Sequence, residues 1–251
     1  MTVSARDQPT GPPVRGECHL WETPITGWPD RDDPLDDEER RRAAAFTLPR
    51  ARQVFVASRS VQRVIGAHYL AIPPRDVRIV RDCEHCGGPH GRPRFVDADL
   101  DYSVSHTRDR LVVAVVSAGR AGVDIEEGGS LGDVEQLVAH SCTPREREHL
   151  AALPPDCRTE ELLRLWTRKE AGSKVTGHGL TAGFRRLDAI GPVLAADPAP
   201  EGWPREPIHL YDLPSEGGWL MALAATVPVS RIVRRRPEPP ARPECLVSPS
   251  R

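Results

Sequence analysis

The chain has 251 residues and a formal net charge of −2, with 39% apolar and 28% charged residues. This composition is typical of a globular protein with one large domain or two small ones. The small net charge argues against a nucleic-acid-coating protein, and no apolar run is long enough for a membrane span or a signal peptide. Six cysteines are too few for a disulfide scaffold, so we expect a cytoplasmic protein with reduced thiols.

The two ends of the chain differ in composition from the rest. Residues 1–16 are rich in proline, glycine, serine and threonine, and we expect them to be disordered. Residues 231–251 hold a basic cluster followed by five prolines, which indicates a disordered tail. The folded body is therefore expected over residues 17–230.

Apolar spacing predicts the elements of that body in chain order. The first part is expected to contain a strand at 18–21, helices at 36–45 and 53–70, and strands at 77–80, 102–105 and 111–117. The second part is expected to contain a strand at 122–126, helices at 131–140, 144–152 and 160–175, and strands at 184–190, 208–213 and 219–227. Thr143 and Glu146 can form a capping box, and Gly177 can end the helix of 160–175.

The basic residues are almost all arginine. Of 34 lysines and arginines only two are lysine, Lys169 and Lys174, and these lie five residues apart. Lysine differs from arginine in offering a compact, titratable ammonium group. The segment around them is therefore a candidate functional site, and chance survival of two lysines is the alternative.

A short acidic strand is the second candidate. In GVDIEE at 122–127, Asp124 and Glu126 point to one face and Val123 and Ile125 to the other. Two adjacent carboxylates repel each other unless a cation lies between them, and oxygen ligands suit Mg²⁺ or Mn²⁺. The alternative is the solvated outer face of an edge strand.

Two further segments carry polar groups of the same kind. Glu170 and Lys174 share a helix face with Trp166, although a surface ion pair has the same spacing. SVSH at 103–106 and GRPR at 91–94 offer hydroxyl, imidazole and guanidinium groups that can bind phosphate, although His106 could equally be a turn residue. Together the segments favour a metal-dependent phosphoryl-transfer site.

The same segments resemble the Sfp-type 4′-phosphopantetheinyl transferases. GVDIE matches the family pattern G-x-D-x-E, and residues 166–177 match W-x-x-K-E-A-x-x-K-x-x-G without a gap. GRPRF at 91–95 matches the G-K/R-P element, and residues 46–70 resemble the arginine-bearing helix of the first half. Ser103 stands where the family often has asparagine. The resemblance covers roughly residues 17–228.

The resemblance implies an α+β fold, a pseudo-dimer of two similar halves with the active site in the cleft between them. The strands within 109–119 and 217–227 are similar, which fits halves at 17–118 and 119–230. Family members move the phosphopantetheine arm of coenzyme A to a serine of an acyl or peptidyl carrier protein and release adenosine 3′,5′-bisphosphate. We expect a monomer that binds neither nucleic acid nor membrane.

The resemblance also implies roles for individual residues. Asp124, Glu126 and Glu170 would bind Mg²⁺, with Mn²⁺ as a possible substitute. Glu170 would help to deprotonate the carrier serine, directly or through water, and Lys174 would neutralise charge on the α-phosphate. The coenzyme A site would comprise Arg50, Arg92, Pro93, Ser105, His106 and Lys174.

Two other functions are compatible with parts of the sequence. A Mg²⁺-dependent phosphohydrolase acting on a nucleotide-like substrate would use the same carboxylates. A zinc-stabilised binding module would centre on Cys83, Cys86 and His90, but one CxxC pair without a second pair is a weak signal. The simpler interpretation of residues 83–90 is a turn with reduced cysteines that presents Arg92 to the nucleotide.

Overall fold

A computed structural model describes residues 11–28, 30, 32, 34–129 and 134–239. The described part is a mixture of helices and largely antiparallel sheets, which confirms the predicted α+β class. The strands are β1 (Glu17–Pro24), β2 (Ile79–Val80), β3 (Arg94–Phe95), β4 (Asp101–His106), β5 (Arg110–Val116), β6 (Ala121–Glu127), β7 (Leu187–Asp188), β8 (Val193–Ala196), β9 (Ile208–Leu213), β10 (Trp219–Ala225) and β11 (Arg231–Arg235). The helices are α1 (Asp37–Ala44), α2 (Pro49–Leu70), α3 (Val134–Ser141), α4 (Pro144–Ala152) and α5 (Pro155–Thr176).

The strands form two sheets with the same internal order. The first sheet runs β11-β1-β5-β4-β3-β2 and the second runs β6-β10-β9-β8-β7. The strands β1–β5 and the strands β6–β10 form two sets with the same spatial order. In each set the first strand lies beside the fifth, and the fourth, third and second strands follow in that order. A 22-residue helix, α2 or α5, lies between the first and second strand of each set. This repeated topology is consistent with the predicted two similar halves.

Among the described residues, three large apolar clusters hold the sheets and the two long helices together. One packs α2 on the first sheet, with Ile65 and Val113 among its buried residues. Another packs α5 on the second sheet through residues such as Leu165 and Leu210. The third lies between the sheets and joins residues of β1 and β5 to residues of β6, β9 and β10. Burial of apolar surface is the main stabilising term in such clusters, so the third cluster fixes β6 against the first sheet.

Local signals account for the helix boundaries. α4 has the predicted capping box, in which the Thr143 hydroxyl accepts from the Glu146 N–H at 3.2 Å and the Glu146 carboxylate accepts from the Thr143 N–H at 2.8 Å. α5 begins five residues earlier than predicted because Pro155 is accepted in its first turn. Gly177 ends α5 with a φ of +75°, which a glycine adopts without strain. None of the described helices combines the length and the apolar character that crossing a membrane requires.

Several boundaries differ from the prediction. The prediction of a strand at 184–190 is wrong, because the chain forms a 3-10 turn after Gly183 and only Leu187–Asp188 is a strand. The prediction of a disordered tail from residue 231 is also wrong at its start. Arg231–Arg235 is a strand that pairs in parallel with β1, and Arg235 is buried. In the predicted N-terminal disordered segment, residues 11–16 have defined positions, and Gly16 accepts from the Ser230 N–H at 2.8 Å. Residues 1–10 and 240–251 lie outside the described residues.

Candidate active site

The strand β6 presents its polar side chains to α5. Val123 and Ile125 are buried in the cluster between the sheets, as the alternation predicted. Asp124 lies on the opposite face and is only 4% exposed. β6 is an edge strand of its sheet, but α5 and β4 cover it, so the alternative of a solvated carboxylate face is wrong for Asp124.

Gly122 lets α5 approach β6 closely. A Cβ atom at this position would lie 1.9 Å from the Ala171 carbonyl oxygen and 3.0 Å from the Val175 backbone nitrogen. Both atoms belong to the helix backbone, so a side chain here would push the helix away. The glycine of the G-x-D-x-E pattern is therefore a packing requirement, and it brings Lys174 of α5 onto Asp124 of β6.

Lys174 is bound by oxygen atoms at the junction of β4, β6 and α5. Its Nζ donates to Asp124 Oδ1 at 2.7 Å, to Ser105 Oγ at 2.8 Å and to the Val123 carbonyl at 3.0 Å. The Ser105 hydroxyl in turn donates to Asp124 Oδ1 at 2.8 Å. Lys174 therefore pairs with the Asp124 carboxylate of β6, and not with Glu170 along the helix as the alternative of a surface ion pair would require.

The site holds more negative charge than its cation neutralises. Burial, together with the weaker effects of the Asp124 and Glu126 carboxylates, raises the pKa of Glu170 to about 7 against the effect of Lys174. Burial and the Asp124 charge also raise the pKa of Glu126. The second oxygen of Asp124, Oδ2, is buried without a hydrogen-bond partner. A buried, unpartnered carboxylate oxygen is unfavourable unless a cation binds it.

The ligand atoms of Asp124, Glu126 and Glu170 do not all lie within 4.8 Å of one another. Among the described residues, the one group of three potential metal-ligand atoms within 4.8 Å of one another is in the loop of residues 83–90. Glu126 is held by the Trp166 indole, whose Nε1 donates to Glu126 Oε1 at 3.2 Å. Trp166 thus orients one carboxylate from the helix that carries Glu170.

A row of alternate side chains on β4 attaches the first sheet to β6. Asp101 accepts from the Ala121 N–H at 2.7 Å, and Ser103 Oγ accepts from the Val123 N–H at 3.1 Å. Ser105 completes the row through its bond to Asp124. The alternation of polar residues in DYSVSH indicates such a row on one face of β4, but Asp101 is not among the site residues predicted from the sequence.

Arg92 connects three elements around the site. Its Nε donates to the Lys174 carbonyl at 2.8 Å, and one terminal nitrogen donates to Asp101 Oδ2 at 2.6 Å and to the Ala121 carbonyl at 3.0 Å. These bonds give Arg92 a structural function that the sequence did not indicate. The expected contacts of Arg92 and the adjacent Pro93 with a nucleotide stay predictions.

Two other predicted phosphate ligands lie near the end of β4. Arg50, in the first turn of α2, donates to Asp109 Oδ1 at 2.5 Å and to the Arg108 carbonyl in the turn after β4. His106 is exposed at the last position of that strand. Partial desolvation and the charge of Lys174 lower its pKa. Both side chains therefore lie at the rim of the site.

Lys169 points away from the carboxylates into the protein. Its Nζ is buried and donates to the Ser141 carbonyl at 2.6 Å, to the Phe184 carbonyl at 3.1 Å and to the Glu146 carboxylate. Burial lowers the pKa of Lys169, and the charge of Glu146 opposes this shift. The second lysine is therefore a buried connection between α5, α4 and the chain before β7.

Comparisons with known proteins identify the family. A model of the 4′-phosphopantetheinyl transferase superfamily matches residues 120–209, which include β6 and α5. The 4′-phosphopantetheinyl transferase HetI of Nostoc sp. strain PCC 7120 is 33% identical over 168 residues, 65% of this chain and 70% of HetI. The chain belongs to the 4′-phosphopantetheinyl transferase family. It is therefore a transferase, and nothing in these matches supports the phosphohydrolase alternative.

Other relatives carry the same description. The putative 4′-phosphopantetheinyl transferase slr0495 of Synechocystis sp. strain PCC 6803 is 27% identical over 156 residues, 61% of each chain. The 4′-phosphopantetheinyl transferase AcpT of Escherichia coli strain K12 is 31% identical over 91 residues, 36% of this chain and 47% of AcpT. The names of these relatives do not decide the type within the family, so the Sfp-type assignment stays a prediction.

Proposed function

We propose that this phosphopantetheinyl transferase carries out its reaction at the junction of β4, β6 and α5. The carrier serine oxygen forms a bond to the phosphorus next to the pantetheine arm of coenzyme A. The bond from that phosphorus to the adenosine 3′,5′-bisphosphate oxygen breaks. The supporting observations are the ion pair of Lys174 with the buried Asp124 at 2.7 Å and the effect of the Asp124 charge on the pKa of Glu170.

Asp124, Glu126 and Glu170 are the candidate ligands for Mg²⁺, with Mn²⁺ as a substitute. The unpartnered Oδ2 of Asp124 and the raised pKa of Glu170 both fit a site for a hard divalent cation. An ion held by these carboxylates would neutralise charge on the pyrophosphate. The indole hydrogen bond of Trp166 would hold the Glu126 carboxylate in position for the ion.

Glu170 is the candidate general base. A base works best when its pKa lies near the working pH, and in the metal-free protein burial with two neighbouring carboxylates raises the pKa of Glu170 to about 7. A bound cation would lower this pKa, so Glu170 would act on the serine directly or through a water molecule. The serine proton would pass to the Glu170 carboxylate as the new phosphorus–oxygen bond forms. Neither Asp124 nor Lys174 is as well suited, because each is already paired with the other.

Lys174 and the rim residues are the candidate phosphate ligands. Lys174 would stabilise the charge that develops on the departing α-phosphate, since its ammonium lies beside the carboxylates on the same face. Ser105 would support the phosphates from β4. Arg50 and His106 at the rim would hold the 3′-phosphate, with Arg92 and Pro93 on the neighbouring loop.

Incubation with coenzyme A and a set of apo-carrier proteins tests this function. Intact-mass analysis should show that a carrier gains one phosphopantetheine, and an equal amount of adenosine 3′,5′-bisphosphate should appear. A carrier whose serine is replaced by alanine is the matched control and should not gain mass. Consumption of coenzyme A without any gain in carrier mass would instead indicate hydrolysis and would contradict the proposal.

A further inference from the structure

The loop between β2 and β3 holds a second group of potential metal ligands, away from the carboxylates. Cys83, Cys86 and His90 bring their ligand atoms within 4.8 Å of one another, and Cys86 Sγ lies 3.0 Å from His90 Nε2. Around a tetrahedral zinc ion such atoms are about 3.5–3.8 Å apart. The three side chains are therefore already close to the separations that zinc requires.

The backbone of this loop is folded into a tight turn around Cys83. The N–H groups of His85 and Cys86 both donate to the Cys83 sulfur, which favours its thiolate form. The Gly87 N–H donates to the Cys83 carbonyl at 2.8 Å, and Gly87 has a φ of +73°, which only a glycine adopts readily. This turn presents the two sulfur atoms to the same side.

Further backbone hydrogen bonds close the loop and place His90 near the two cysteines. The Cys83 N–H donates to the Gly88 carbonyl at 2.8 Å, and the His90 N–H donates to the same carbonyl at 2.9 Å. The Gly91 N–H donates to the Arg81 carbonyl at 2.7 Å, which joins the two ends. Because these bonds set the ligand positions, one short loop can supply three ligands without a second hairpin.

We propose that Cys83, Cys86 and His90 bind a zinc ion, with water in the fourth position. Cys86 and His90 are exposed, so solvent reaches the open side of the site. The nearby side chains of the loop are engaged elsewhere. Glu84 pairs with Arg120 at 3.0 Å, and His85 Nε2 lies 3.2 Å from the Thr176 carbonyl.

The zinc would stabilise the contact between this loop and the end of α5. His85 lies against His178 with ring centroids 4.1 Å apart, next to the last turn of the helix. Arg92 follows the loop and binds the Lys174 carbonyl. The ion would therefore act on the rigidity of the helix end, and its loss should lower the midpoint of thermal unfolding. The simple turn with reduced cysteines, preferred on the sequence alone, has the same backbone, and in it the Cys86–His90 hydrogen bond would take the place of the ion.

Metal analysis of the full chain, purified without a metal-affinity tag, tests the site. We expect about one zinc ion per chain. The variant Cys83→Ser/Cys86→Ser should lose it, and Cys157→Ser, which changes an exposed cysteine elsewhere, should keep it. His85→Ala should also keep zinc, because His85 is turned towards α5. Loss of zinc in Cys157→Ser or His85→Ala would contradict the ligand set.

A cobalt titration covers the case in which the double variant fails to fold. Chelator-treated wild-type protein with added Co²⁺ should develop the thiolate-to-cobalt absorption of a tetrahedral site. The exposed single variant His90→Ala should bind Co²⁺ more weakly while keeping the far-ultraviolet circular dichroism of the wild type. No zinc after purification together with no cobalt absorption, or a Cys83–Cys86 disulfide found by thiol counting, would overturn the proposal.

Discussion

The two lysines of the chain have different surroundings although they lie on one helix. Lys174 is half-buried among the oxygens of Ser105, Val123 and Asp124. Lys169 is buried against Glu146 on the other side of α5. Both environments favour a compact ammonium over a planar guanidinium. The presence of lysine at these two positions therefore has two separate physical reasons, one in the site and one in the core.

Replacement of Lys174 should lower turnover strongly. Lys174→Ala removes the cation beside the candidate phosphate site, and we expect a loss of about 100-fold or more in kcat. Lys174→Arg should recover only part of the rate, because the guanidinium cannot make the same three contacts. Transfer rates to an apo-carrier measure both effects, with Arg185→Ala, an exposed cation elsewhere, as control. A wild-type rate in Lys174→Arg would indicate that the lysine is not required.

Glu170 should make the metal-free protein less stable at alkaline pH. Its pKa is about 7 when folded and near 4.5 when unfolded, so the folded state holds the proton more tightly. The contribution of this group to stability is therefore lost as pH rises from about 4.5 to 7. Glu170→Gln should raise the free energy of unfolding at pH 8 by about 1–2 kcal/mol after solvent screening, and by much less at pH 5.

Urea unfolding in the presence of a chelator at the two pH values measures this difference. Glu148→Gln, which changes an exposed carboxylate on α4, is the control and should show no such pH dependence. An equal effect of Glu170→Gln at both pH values would contradict the proposed origin of the raised pKa.

At the scale of elements, the connection of α5 to α4 depends on the buried Lys169–Glu146 pair. Glu146 also caps α4 and accepts from the Ala189 N–H at 3.0 Å, so one carboxylate serves three segments. Lys169→Met leaves that carboxylate buried without its cation, and we expect a loss of about 3–5 kcal/mol in unfolding free energy. Urea unfolding checks this value, and Lys169→Met/Glu146→Gln should recover part of it. A loss below about 1 kcal/mol for Lys169→Met would contradict the role of the pair.

The close packing of α5 on β6 can be tested at Gly122. Gly122→Ala places a methyl group 1.9 Å from a backbone oxygen of the helix, so α5 must shift and separate Lys174 from Asp124. We expect lower stability and a fall in transfer rate larger than the stability loss alone explains. Gly191→Ala is a matched control, since its Cβ would meet its nearest neighbour at 3.9 Å. Equal transfer rates in the two variants would contradict the packing argument.

Sequence patterns predicted the elements that carry the site better than the contacts between them. The alternation in GVDIEE placed Asp124 and Val123 on the correct faces, and the capping box of α4 is where it was expected. By contrast, β11 pairs with β1 from the other end of the chain, and no local periodicity reports such a partner. The family resemblance assigned Arg92 to phosphate, and that assignment stays a prediction. The sequence did not indicate the hydrogen bonds of Arg92 to Asp101 and to the Lys174 carbonyl, because no local pattern reports side-chain partners.

At the scale of the whole molecule, the site lies where the two sheets meet. Asp101, Ser103 and Ser105 of the first sheet bind β6 of the second, and the buried cluster between the sheets fixes that contact. The carboxylates therefore belong to one sheet and its helix, and their support belongs to the other. This arrangement fits the predicted cleft between halves at 17–118 and 119–230.

The rate of phosphopantetheine transfer by Asp124→Asn tests the central claim most directly. The substitution keeps the shape of the side chain but removes the charge that faces Lys174 and the candidate metal position. With saturating Mg²⁺ and coenzyme A, we expect transfer to an apo-carrier to fall by about 100-fold or more while circular dichroism stays that of the wild type. Glu148→Gln should transfer at the wild-type rate. A folded Asp124→Asn variant with a near-wild-type rate would contradict the proposed site.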